Sequence, residues 1–137
     1  MNTHPYLRAY MAGITVPTML LVVAMTVFTI SRYVYNVAVP IERIIVFPMA
    51  IVPNLWGLWN IVYVRLRSRR YLPIGFHGVI LAFVQASLFF AVTRLVHFAV
   101  PDFVISAFPI GFPLVLIVFY LVWKHVVGFL NVLLGIE

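Results

Sequence analysis

Acidic side chains are nearly absent: Glu42, Asp102 and Glu137 are the only three in 137 residues. Hydrolysis by paired acids has no support in such a sequence, and neither a nucleophile elbow nor a phosphate-cradling glycine loop is present. Cysteine is missing altogether, which excludes a disulfide frame, a thiol nucleophile and a thiolate metal site. His4, His77, His97 and His125 are widely separated and lack the i, i+4 pairing of helical zinc motifs. No catalytic residue, metal ligand or cofactor site is therefore assigned. Charge of either sign is also scarce, at 9% of residues, where soluble domains carry roughly 25%. Too little charge is available to cover a surface facing water.

What the chain has instead is apolar surface: 65% of its residues are hydrophobic, and its mean hydropathy is +1.14. A chain of this length holds about four membrane spans of about 20 residues each, with little left over. The expected fold is an all-α integral membrane protein. A single domain over residues 1–137 would comprise four antiparallel transmembrane helices. The apolar runs fall at residues 9–30, 40–64, 74–98 and 103–123. The first is too long for the core of a signal peptide, about 7 to 15 residues, and reads as a retained span. Helices 2 and 4 should be distorted by proline, at Pro48 and Pro53 and at Pro109 and Pro113, since each proline deletes a backbone donor.

Residues 126–137 form an apolar tail. An unbroken fourth helix through the tail would reach about 50 Å, against a hydrocarbon core of about 30 Å. A break near residues 124–128 is expected, followed by a short C-terminal interfacial helix. The competing division begins the last span near Pro113 and places Lys124 and His125 inside the membrane.

The net charge of +6 reads as loop charge held on the cytoplasmic side, not as a nucleic-acid footprint. Arg65, Arg67, Arg69 and Arg70 cluster in one linker. If that linker is cytoplasmic, both termini are too. That side then carries these four with Arg8 and Lys124, six in all, against Arg32, Arg43 and Arg94, three in all, on the other. The linker arginines also form a candidate collar for acidic lipid headgroups.

The second span departs furthest from a plain lipid-facing helix. Asn54 and Asn60 put amides into it, and Gly57 adds backbone freedom. Because the linker is short, helices 2 and 3 should be antiparallel neighbours, with residues at equal depth summing to roughly 138. Asn54 then lies level with Gln85, and Asn60 with His77, giving a candidate polar seam of Asn54, Asn60, His77 and Gln85. Direct or water-mediated hydrogen bonding between Asn54 and Gln85 is expected. Rotation is less favourable, since Asn54 and Asn60 are about 120° apart on a straight helix and His77 and Gln85 about 80°. Trp59, near the linker, reads as an interfacial anchor. Trp56 is deeper and should lie in a helix interface or wall a hydrophobic pocket. At the other end, Glu42, Arg94, His97 and Asp102 form a candidate outer ion-pair cluster.

Small four-span drug exporters carry an essential carboxylate in their first span, and residues 9–30 contain none. The sequence accordingly points to a non-enzymatic membrane protein that acts by association, as an accessory or scaffold subunit or a homo-oligomer. A small oligomeric transporter or channel using the seam is the alternative. A topology reporter inserted in the arginine linker should report the cytoplasmic side; an external signal there would reverse the orientation.

Overall fold

The computed structural model describes residues 4–38, 50–68, 72–97 and 99–136. All regular structure among them is helical: α1 (Pro5–Tyr33), α2 (Val52–Leu66), α3 (Ile74–Leu95), α4 (Asp102–Val122), a π-helical turn (Trp123–Val127) and α5 (Gly128–Leu133). Among the described residues, three helical runs are long and apolar enough to cross a membrane: Pro5–Tyr33, Ile74–Leu95 and Asp102–Leu133. The described part of the second expected span is shorter, at 15 residues. Its beginning, with Glu42, Arg43 and Pro48, lies outside the described residues.

Two antiparallel pairs build the molecule. In the first, α1 crosses α2 where Gly13 meets Trp56 and Gly57. A Cβ on Gly13 would stand 2.6 Å from the Trp56 carbonyl oxygen and 2.8 Å from the Gly57 Cα. This is a backbone-to-backbone crossing of the kind small residues permit in membrane bundles. In the second, α3 lies along α4, with Gly75 against the Tyr120 ring and Gly78 against the Phe119 carbonyl and the Trp123 indole. Further along this pair, phenylalanines take over: Phe83 packs edge-on against Phe112, and Phe90 against Phe108.

The chain's last helix joins the pairs. The expected break near residues 124–128 is not made: Asp102–Leu133 is one helical run of 32 residues. What occupies 123–127 is a π turn, in which the Gly128 N–H reaches back to the Trp123 carbonyl. Four-residue steps overshoot a full turn in an α-helix, and the wider π turn offsets that drift. Trp123, Val127 and Asn131 consequently form one fully buried stripe, all at 0% exposure. The tail is thus packed in the bundle and does not stand apart as a separate helix. Lys124 and His125 lie on its exposed side, with the Lys124 ammonium 5.8 Å from the Tyr120 ring centre.

The run stops in a Schellman cap. Gly135 adopts φ +66°, and the N–H groups of Gly135 and Ile136 bond to the carbonyls of Val132 and Asn131. A left-handed residue at this position is what a glycine supplies without steric cost. The turn returns Ile136 to a buried cluster with Ala9 and Ala12.

Proline effects differ from expectation. Ala50 and Ile51 are wound as π-helix at the entry to α2, but α4 remains α-helical through Pro109 and Pro113. The irregular winding in the fourth run comes later, at the tryptophan.

Gly13→Ala should destabilise the protein by about 1–3 kcal/mol, because backbone atoms cannot make room as a side chain would. A Cβ at Gly111 meets nothing within 4 Å, so Gly111→Ala should be neutral or stabilising by up to about 1 kcal/mol. Unfolding titrations in mild detergent compare the two; equal effects would show that the α1–α2 crossing tolerates separation.

Candidate functional site

Side-chain chemistry concentrates where α2 faces its neighbours. Asn60 is fully buried, and its Nδ2 donates to the Ala9 carbonyl at 2.8 Å and to Asn131 Oδ1 at 2.7 Å. Asn131 returns a bond from its own Nδ2 to Asn60 Oδ1 at 3.1 Å. One amide pair therefore ties α1, α2 and α5 together with three hydrogen bonds. The sequence places Asn60 level with His77, but the structure turns it toward the tail. Asn131 is the missed partner, and its signal was a four-residue step from Val127 and Trp123 within a tail assigned to the interface.

The other seam residues are displaced in a similar way. Asn54 is exposed; it accepts a hydrogen bond from the Tyr10 hydroxyl and donates to the Ala50 carbonyl at 2.6 Å. The direct bond from Asn54 to Gln85 is not made. Gln85 Oε1 instead accepts from the Trp56 indole N–H at 3.0 Å. Trp59 donates to the backbone carbonyl of His77 at 3.0 Å, so its polar atom serves the α2–α3 contact, where an interfacial anchor was expected. The His77 ring meets Tyr63 edge-on, with ring centres 5.0 Å apart.

The observed pairs sit at the depths that the antiparallel rule gives, but the tryptophans and Tyr63 occupy the contacting face. Trp56 lies about 200° around the helix from Asn54, which turns one toward α3 when the other faces away. Among the described residues, the buried His77 Nδ1 and Trp123 Nε1 have no hydrogen-bond partner.

The arginine end holds the start of α1 and the end of α5. Arg8 Nη1 donates to the Leu134 carbonyl at 3.2 Å, and Arg67 Nη2 to the Ile136 carbonyl. The Leu134 carbonyl, at the C-cap, is one that a helix end leaves open, and the Ile136 carbonyl lies just past the cap; cations suit that end of the dipole. Arg65 is exposed, while Arg69 and Arg70 lie outside the described residues. At the opposite end, Arg94, His97 and Asp102 are exposed, and no ion pair joins them among the described residues. His97 lies past the end of α3 with φ +51°, off the helical face shared with Arg94. Glu42 is outside the described residues.

A groove of about 200 Å³ opens between α3 and α4, walled by phenylalanines with Gln85 at its side. Among the described residues, no three His, Asp or Glu side chains are grouped to hold a metal ion. Searches with the chain match no family model, no curated protein and no solved structure.

Asn60→Leu should cost about 1–3 kcal/mol, the penalty for leaving the buried Asn131 amide unpaired. The double variant Asn60→Leu/Asn131→Leu should recover part of that loss. Detergent unfolding of the two singles and the double forms the cycle; strictly additive losses would mean that the amides act independently.

Proposed function

We propose that this chain is a multi-pass integral membrane protein that acts by association, as an accessory or scaffold subunit or as a homo-oligomer. The observation that carries this reading is α4. None of its residues is buried, yet Pro109 and Pro113 leave the carbonyls of Ile105 and Pro109 without their ordinary i+4 donors. Carbonyls facing hydrocarbon without a donor cost several kcal/mol each. A neighbouring helix that supplies hydroxyl or amide donors removes that cost.

The exposed face carries Ile110, Pro113, Leu114 and Ile117 and points away from the residues that meet α3. A transport pathway along the seam has less support, because Asn60 pairs with Asn131 and Gln85 accepts from Trp56. In the proposed orientation, the end holding Arg8, Arg65 and Arg67 is cytoplasmic. Its arginines meet acidic headgroups at about 1 kcal/mol each.

Ile110→Trp and Ile117→Trp should reduce assembly size or partner recovery without changing unfolding. Single-molecule photobleaching in liposomes reads self-association, and copurification from native membranes reads partner subunits. If both variants assemble as the parent does, α4 faces lipid and the association reading fails.

A further inference from the structure

We infer that the groove between α3 and α4 binds a lipid-soluble molecule with a flat conjugated ring bearing a carbonyl oxygen, held by the carboxamide nitrogen of Gln85. This inference is independent of the association reading, since the groove lies on the opposite side of α4 from Ile110 and Ile117.

Gln85 supplies the polar contact. An indole N–H can only donate, so the bond from Trp56 identifies the Gln85 oxygen and leaves its NH₂ group for another acceptor. No acceptor for that nitrogen is present among the described residues. Gln85 lies midway along α3, about 16 Å from each end by helical rise. At that depth lipid provides no acceptor, and an unpaired donor is costly.

The walls supply the second contact. Phe89, Phe90, Phe108, Phe112 and Phe119 line the groove. Phe108 and Phe112 are stacked with centres 4.8 Å apart and planes 14° from parallel. An acyl chain gains little by moving from lipid onto these rings, because lipid is equally apolar. A planar conjugated ring gains offset-stacked and edge-to-face aromatic contacts that lipid cannot offer. Size agrees as well. A cavity of about 150 Å³ takes benzene, so the groove's 200 Å³ suits a ring with substituents. The small side chains of Ala82 and Ala86 leave that space open.

The test uses the full chain in neutral phosphatidylcholine nanodiscs with 2-methyl-1,4-naphthoquinone as probe, subtracting the partition into empty discs. Saturable binding is expected, weakened about tenfold or more by Gln85→Leu. Ala86→Phe, which fills the groove and leaves the Trp56 bond intact, should abolish it. Two competitors separate the contacts: 2-methylnaphthalene has the ring without oxygen, and methyl palmitate has the carbonyl without the ring. The first should bind about tenfold more weakly than the quinone, and the second should not displace it. Non-saturable uptake, or binding unchanged in both variants, overturns the site. Equal displacement by methyl palmitate would make the groove an acyl-chain site and overturn the ring assignment.

Discussion

A carboxamide taken out of water into a hydrocarbon-rich bundle must find its hydrogen bonds within the protein, and Asn60 and Asn131 meet that requirement jointly. Much of the packed end follows from their pairing. For Asn131 to reach α2, the last helix must continue beyond Lys124, alongside the start of α1. For Trp123 and Val127 to share its face, the winding must loosen for one turn. The cap at Gly135 then returns Ile136 to the core, where Arg67 meets its carbonyl. The loosened turn at Trp123–Val127 and the left-handed Gly135 serve the same convergence.

The two ends of the molecule are built on different physics. Near the termini, glycines bring backbones close together, and buried amides and indoles provide directional contacts. Toward the other end, α3 and α4 are held by phenylalanine edges and faces, with alanines leaving space between them. Aromatic contacts of this type fix spacing loosely compared with a buried amide pair. The first arrangement specifies which helices meet, and the second leaves room for a guest molecule.

The all-helical fold and the helical runs long and apolar enough to cross a membrane were legible because so apolar a composition, with so little charge, leaves long apolar helices as its ready outlet. The antiparallel approach of α2 and α3 followed from a short linker, and the observed contacts sum close to the predicted value: Trp56 with Gln85, and Tyr63 with His77. Which side of α2 faced inward was not legible. Asn54 and Trp56 are both plausible inward residues by composition, and only the glycine crossing with α1 settles the rotation. The tail was misread for a physical reason: an α-helix of that length exceeds the membrane, and the estimate treated the excess as surface helix. A π turn carries no residue signature strong enough to correct that estimate. Asn131 was the available clue, because a lone amide in an otherwise apolar tail needs a buried partner or water.

The closing contacts also constrain how the protein is made. Asn60 and its partner are 71 residues apart, Arg67 and its carbonyl 69, and Arg8 and its carbonyl 126. At synthesis rates of about 5–20 residues per second, α1 and α2 wait several seconds with the Asn60 amide lacking its final partner. The bundle's polar centre is completed only once Asn131 has been synthesised and can reach Asn60. A nascent chain stopped before Asn131 would keep the Asn60 bond to the Ala9 carbonyl but lack the amide pair that closes the interior.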